Sequence, residues 1–85
     1  MSYKIVWSKK AYKQLKELPY LISKRIYAKI NKLLTNPSEL DIKHLIGVPY
    51  YRLRVGDYRV IFEIKRKELK IFILKVGHRK EIYKK

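Results

Sequence analysis

Arginines recur at alternate positions around a short turn in the segment Tyr50–Phe62. Polar and apolar residues alternate on both sides of Gly56-Asp57, a pair that tolerates the positive φ angles of a tight hairpin turn. A two-residue turn pairs Arg54 with Arg59, and the pleat then places Arg52 on the same face. Because like charges opposite one another destabilise a sheet, the pattern is easiest to explain if an anion normally sits on this face.

The other face of the predicted hairpin is uniformly apolar and carries Tyr51, Leu53, Val55, Tyr58, Val60 and Phe62. Such a face needs a covering layer, so we expect helices to bury it and the arginines to face outward. The alternative is that the arginines only line a solvated face. The planar guanidinium fork matches phosphate oxygens, which makes a nucleic acid the natural ligand.

The charge balance of the chain favours an anionic partner. Lysine and arginine number 22 against seven acidic residues, which gives a formal net charge of +15 at pH 7. Such a charge attracts a polyanion, an acidic protein or an anionic membrane. The chain has no cysteine, so disulfides and thiolate metal sites are excluded. It shows no carboxylate pair, metal-ligand spacing or glycine-rich phosphate loop, so we expect no metal or nucleotide cofactor.

The 85 residues predict a single domain, 1–85, whose first half is mainly helical. A first strand is predicted over Ser2–Trp7, and Ser8 is a good N-cap for a helix that runs to about Leu18. After a proline, a second helix is expected to begin at residues 21–23 and to end at Asn36-Pro37. The basic residues on the outer faces of these helices are interpreted as solvated; they are Lys9, Lys13, Lys16, Arg25, Lys29 and Lys32.

The second half of the chain is predicted to be mainly strands. Residues 37–49 form a loop with a short extended piece at Lys43–Leu45, and the hairpin follows. A turn at Lys65–Glu68 leads to a last strand, Leu69–Val76, which is apolar on both faces and therefore belongs inside the sheet. Gly77 is expected to end this strand and to turn the basic tail toward the arginines.

The predicted order of elements, β-α-α-β-β-β, defines an α+β fold. Two N-terminal helices pack on one face of a mainly antiparallel sheet of four to five strands. No secretory apolar region opens the chain and no apolar run is long enough to span a bilayer. We therefore expect a cytoplasmic protein without a membrane partner.

Five segments, taken in order, resemble one family of small toxins. They are Ser8–Ala11, Asn36-Pro37, Lys43–Gly47, Tyr51–Phe62 and Val76–Tyr83, of which the last two are the most specific. Over nearly its whole length the chain resembles the RelE/ParE superfamily of toxins from type II toxin–antitoxin systems, and the RelE branch in particular.

The resemblance implies a RelE-like fold and a ribosome-dependent messenger-RNA endonuclease that inhibits translation. In the family's reaction the 2′-hydroxyl of messenger RNA in the ribosomal A site attacks the neighbouring phosphate, without a metal ion. The resemblance also implies an acidic, RelB-like antitoxin that wraps around the toxin and neutralises it in a heterotetrameric complex.

The resemblance also implies a set of site residues. The family's basic strand residues match Arg52, Arg54 and Arg59, and its C-terminal arginine and tyrosine match Arg79 and Tyr83. The guanidinium groups would stabilise the charge that develops on the phosphate. Tyr83 would stack on a base or accept a proton.

Proton transfer is the part of this chemistry where the chain departs from the family. Some RelE-type members carry lysines where this chain has Arg52 and Arg54, and an arginine effectively cannot lose its proton. Proton transfer therefore falls to Tyr83, His78 or Lys43, or to a group on the ribosome. Further RNA-binding residues are predicted to be Lys43, Lys80 and Lys84.

Two other functional classes stay open. One is a ParE-like toxin that poisons DNA gyrase by binding it and performs no chemistry. The other is a non-catalytic basic module that binds nucleic acid through its net charge alone. Such a module would bind with an affinity that falls steeply with salt, and Arg54 would matter no more than Lys13.

Overall fold

The computed structural model describes residues 2–83, which form five strands and two α-helices. In chain order these are β1 (Lys4–Trp7), α1 (Lys9–Lys16), α2 (Tyr20–Asn31), β2 (Asp41–His44), β3 (Tyr51–Val55), β4 (Tyr58–Lys65) and β5 (Lys70–His78). Two short 3₁₀ turns, Lys32–Leu34 and Pro37–Glu39, connect α2 to β2. Lys84, one of the predicted RNA-binding residues, lies outside the described residues.

The strands form one sheet with the order β1-β5-β4-β3-β2. Neighbouring strands are antiparallel except for β1 and β5, which pair in parallel. The predicted α+β class, with two helices on a mainly antiparallel sheet, is confirmed. The expectation that the last strand lies inside the sheet is also confirmed, since β5 pairs with β1 on one side and β4 on the other.

The central hairpin has the register that its sequence predicts. Val55 pairs with Tyr58 and Arg54 pairs with Arg59 across a two-residue turn. Gly56 adopts a φ of 58° there, which lies in the left-handed region. A residue with a Cβ is destabilised in that region, whereas glycine is not. We refer to Gly56-Asp57 as the hairpin turn.

The two α-helices differ from their predicted bounds. As predicted, Ser8 caps α1, because its Oγ accepts a hydrogen bond of 3.0 Å from the backbone N–H of Ala11. Helix α1 ends at Lys16, before the predicted end at Leu18. Helix α2 begins at Tyr20, earlier than expected, because Pro19 itself occupies the N-cap position. Proline suits the start of a helix, where its missing N–H leaves no bond unmade.

Two strand boundaries were also predicted wrongly. The extended piece before the hairpin is Asp41–His44 rather than Lys43–Leu45, because it pairs with β3 over those four residues. Gly77 does not end β5, which continues to His78 because β4 begins at Tyr58 and still offers a partner there. Strand β5 also contains one extra residue: Ile61 pairs with Lys75 and Phe62 with Ile73, so Leu74 forms a β-bulge.

The core lies between the two helices and one face of the sheet. It contains Ala11, Leu15, Ile26, Ile30, Leu33, Leu53, Val55, Val60, Phe62, Ile71, Ile73 and Val76. Ile61 and Ile82 are also buried but lie outside this cluster. Within residues 2–83, no helix has the length and apolar character needed to cross a membrane.

Candidate nucleic-acid interface

The face of the sheet that points away from the helices carries the predicted arginines. Strand pairing aligns two rows across it: Asp41, Arg54, Arg59 and Gly77 in one, and Lys43, Arg52, Ile61 and Lys75 in the other. We call this surface the arginine face. Arg52, Arg54 and Arg59 therefore share one side of the sheet, as the alternation predicts.

Asp41 supplies this face with an anion from the chain itself. One of its carboxylate oxygens, Oδ1, lies 3.2 Å from Nη2 of Arg52, and the other, Oδ2, lies 4.0 Å from Nη1 of Arg54. The side chain of Arg52 is 20% exposed, whereas that of Arg54 is 57% exposed. Arg52 is thus held inside the surface, and Arg54 keeps most of its donors open to a ligand.

Asp41 was not predicted as a site residue, because residues 37–49 were predicted to form a loop. Its contact with the arginines depends on the pairing of a four-residue edge strand with β3, and so short a strand gives little periodic signal. The only local sign was Ile42, a β-branched residue directly after Asp41.

The guanidinium group of Arg59 folds over the hairpin turn. Its Nη1 donates to the carbonyl oxygens of Gly56, at 2.8 Å, and of Tyr58, at 2.9 Å. These two bonds fix the side chain in place without neutralising its charge. An arginine oriented in this way can meet a phosphate with little further loss of side-chain entropy.

Arg79 reaches the same turn from the C-terminal segment. Its backbone N–H donates to the carbonyl oxygen of Asp57 at 2.8 Å, and its Nε lies 3.8 Å from Oδ1 of the same residue. The Arg79 side chain remains 56% exposed. The chain end after β5 is therefore tied to the hairpin turn, beside the start of β4.

Arg25 of helix α2 also lies at this turn, which the sequence did not reveal. A methyl group built on Gly56 would lie 3.6 Å from Nη1 of Arg25. A cleft of about 380 Å³ opens here, lined by Ile22, Arg25, Arg54, Val55, Gly56, Asp57 and Tyr58. Arg25 was predicted to lie on a solvated helix face; only the packing of α2 on the hairpin brings it to the turn. We call Arg25, Arg54, Arg59 and Arg79 the turn cluster.

The C-terminal segment folds back so that Ile82 is buried and Tyr83 is exposed. Ile82 is only 2% exposed, and its Cδ1 lies 3.5 Å from the position a Cβ would take on Gly77. Its backbone N–H donates to the carbonyl oxygen of His78 at 2.9 Å. Tyr83 follows directly and is 58% exposed. The buried isoleucine therefore anchors the segment that presents Arg79, Lys80 and Tyr83.

His78 lies on the opposite side of the sheet from the arginines. It pairs with Tyr58, which packs against the core, and the two rings meet edge to face with centroids 5.4 Å apart. Its Nδ1 accepts a hydrogen bond of 3.1 Å from the backbone N–H of Lys80. The structure thus separates His78 from Arg52, Arg54 and Arg59. Lys43, in contrast, pairs with Arg52 on the arginine face.

Within residues 2–83, no group of three or more histidine, cysteine or acidic side chains could hold a metal ion. What the arginine face does offer is a group of guanidinium side chains at one end of a hairpin, among which that of Arg59 is fixed by carbonyl oxygens of the turn. Fixed cationic donors of this kind stabilise negative charge on a phosphate, both when it binds and when charge develops during its reaction.

Comparison with known proteins identifies the family. Residues 5–83 match the model of the ParE toxin of type II toxin–antitoxin systems. The chain is 40% identical to "Toxin RelE3" of Methanocaldococcus jannaschii in an alignment 85 positions long that covers 94% of each chain. The chain therefore belongs to the RelE/ParE superfamily of type II toxin–antitoxin toxins, and its relatives place it in the RelE branch.

Two solved structures share the fold at substantial identity. The toxin in a RelB–RelE antitoxin–toxin complex from Methanococcus jannaschii is 38% identical, with a TM-score of 0.77, and the match covers 92% of this chain and 94% of that one. A RelE–RelB complex from Pyrococcus horikoshii OT3 is 32% identical, with a TM-score of 0.79 and coverage of 95% and 99%. In both cases the relative was solved with a RelB partner.

Proposed function

We propose that this protein is a ribosome-dependent endonuclease that cleaves messenger RNA in the ribosomal A site. The observation that carries the proposal is the turn cluster, in which α2, β3, β4 and the C-terminal segment each contribute one arginine around a single hairpin turn. Membership of the RelE branch supports the same function.

The reaction exchanges one phosphorus–oxygen bond for another. The 2′-oxygen forms a new bond to the neighbouring phosphorus while the bond to the 5′-oxygen breaks, and one proton moves from the 2′-hydroxyl to the leaving 5′-oxygen. The phosphate gains negative charge on the way, and Arg54, Arg59 and Arg79 stabilise it. Arg52, held by Asp41, supports Arg54 from within the sheet surface.

Proton transfer is assigned by position. Lys43 lies on the arginine face and Tyr83 is exposed within the anchored C-terminal segment, so these residues, together with groups of the ribosome, are the candidates for exchanging protons with the RNA. His78 packs on the helix-covered side against Tyr58, and in this proposal it supports the fold of the C-terminal segment.

An acidic RelB-like antitoxin is the proposed protein partner, in a heterotetrameric complex. The solved relatives from Methanococcus jannaschii and Pyrococcus horikoshii are complexes with RelB. The net charge of +15 favours an acidic partner, and large apolar side chains such as Tyr20 and Leu21 stand 74% and 77% exposed. A wrapping partner would bury these residues. Co-expression with the neighbouring reading frame should yield a co-purifying complex; a stable, harmless free monomer would count against this partner.

Adding the purified protein to a translating extract tests the catalytic proposal. Codon-phased cleavage of the message is the expected result, and Lys13→Ala serves as a charge-matched control that should cleave normally. The match to a ParE toxin model gives the main competitor, a gyrase poison. Intact message together with gyrase-linked DNA breaks would favour that function instead.

A further inference from the structure

The chain carries its own substitute for a phosphate on the arginine face. The two carboxylate oxygens of Asp41 face two different guanidinium groups, those of Arg52 and Arg54. A phosphodiester presents its two free oxygens to a pair of arginines in the same manner. RNA and Asp41 therefore require the same donors.

The two contacts of Asp41 are unequal. The contact with Arg52 is a hydrogen bond of 3.2 Å to a side chain that is largely buried, and Nε of Arg52 is buried without a hydrogen-bond partner among the described residues. The contact with Arg54 is 4.0 Å long and lies between two side chains that are more than half exposed. A ligand can thus take over Arg54 while Asp41 keeps Arg52 in place.

The position of Asp41 also permits it to move. It is the first residue of β2, and β2 lies at the edge of the sheet. Exposed ion pairs of this kind are worth only about a twofold to fivefold change in an equilibrium constant. Displacement of the carboxylate by a phosphate therefore costs little.

We propose that Asp41 acts as an internal competitor for RNA, which sets how tightly the arginine face binds a phosphodiester, and that it makes Arg52 a positioning residue rather than a phosphate ligand. The proposal rests on the proposed function. It adds that this highly basic protein is restrained from binding free RNA, and that a messenger already held by the ribosome is better able to displace the carboxylate.

The decisive variant is Asp41→Asn, compared with Glu68→Gln. Both remove one negative charge from an exposed ion pair; the Glu68–Lys70 contact is 3.9 Å long, with Glu68 53% exposed. Glu68 lies in the turn at the far end of β4 from the hairpin turn. Binding is measured by fluorescence anisotropy with a single-stranded 2′-O-methyl oligoribonucleotide, which lacks the attacking hydroxyl. Thermal unfolding followed by circular dichroism, and a second variant, Asp41→Ser, guard against effects of misfolding.

We expect Asp41→Asn and Asp41→Ser to bind the oligonucleotide about two to five times more tightly than the unaltered protein. Glu68→Gln should change the binding affinity by less than about twofold, because the negative charge that it removes is far from the arginine face and is screened by salt. The gain should disappear when Arg54→Gln is added, since the released donor is then absent. Equal affinities for the Asp41 and Glu68 variants, or weaker binding by Asp41→Asn, would overturn the proposal.

The translating extract separates this inference from the proposed function. If Asp41→Asn binds the oligonucleotide no more tightly while the unaltered protein cleaves the message, the proposal of an internal competitor is wrong and the proposed nuclease function is retained. If the unaltered protein leaves the message intact, the nuclease is wrong whatever the affinity ratio.

Discussion

The two faces of the sheet come from the same alternating sequence and yet are stabilised in different ways. On the helix-covered face, Leu53 and Val60 pair within the core and are fully buried. On the arginine face, Arg54 and Arg59 pair beside them, and their charges are met by Asp41 and by carbonyl oxygens of the hairpin turn. One face is closed by apolar contact, and the other is held by polar groups that a ligand can replace.

This difference separates stability from function along single strands. Burial of apolar area supplies most of the folding free energy, whereas exposed ion pairs supply little. Adjacent residues of β3 should therefore respond to substitution in opposite ways. Four predictions, which use five substitutions, test that contrast.

The largest effect on stability is expected for Leu53→Ala on the helix-covered face. Leu53 is fully buried, and removal of its side chain should lower the free energy of unfolding by about 2–5 kcal/mol because a cavity remains. Urea unfolding measures this change. Leu21→Ala, at a position 77% exposed, is the matched control and should lie within about 0.5 kcal/mol of the unaltered protein.

On the arginine face, Arg54→Ala and Arg79→Ala should abolish growth inhibition and leave the fold intact. Loss of about 2–4 kcal/mol of charge stabilisation slows cleavage on the order of a hundredfold or more. Single-turnover cleavage on programmed ribosomes and urea unfolding check the two halves of this prediction. Full toxicity at equal expression would show that the site is assigned wrongly.

Arg25→Ala tests whether the turn cluster extends to helix α2. Its guanidinium approaches the hairpin turn but reaches the cleft from the helix side. We therefore expect a smaller loss of transition-state stabilisation, about 1 kcal/mol, which slows cleavage about fivefold to tenfold. Lys29→Ala on the same helix is the control. If both variants lose the same amount, the effect reflects net charge alone.

The smallest effect on cleavage is expected for His78→Gln. Since its ring packs on Tyr58 across the sheet from the arginines, cleavage should fall by less than about threefold, and the free energy of unfolding by about 0.5–1 kcal/mol. A hundredfold loss of cleavage with normal stability would instead make His78 a participant in proton transfer.

The parts of the structure that local sequence determines were predictable, and those that depend on distant contacts were not. The hairpin and its register follow from Gly56-Asp57 and the flanking alternation. The contribution of Asp41 required the pairing of a short edge strand, and that of Arg25 required the packing of a helix against the turn. The start of α2 was missed because Pro19 can either end one helix or begin another.

The β-bulge at Leu74 sets the phase of the chain's last strand. Ile71 and Ile73 face the helices. If the alternation continued without a bulge, Lys75 would also face the helices, and His78 would face the arginines. The additional residue reverses that assignment. Val76 therefore faces the core, and His78 lies on the side of the sheet opposite the arginines. Straightening the bulge with Leu74 retained would exchange the inner and outer sets of everything downstream and bring the imidazole among the arginines, whereas deleting Leu74 would remove the extra residue and leave both sets as they are.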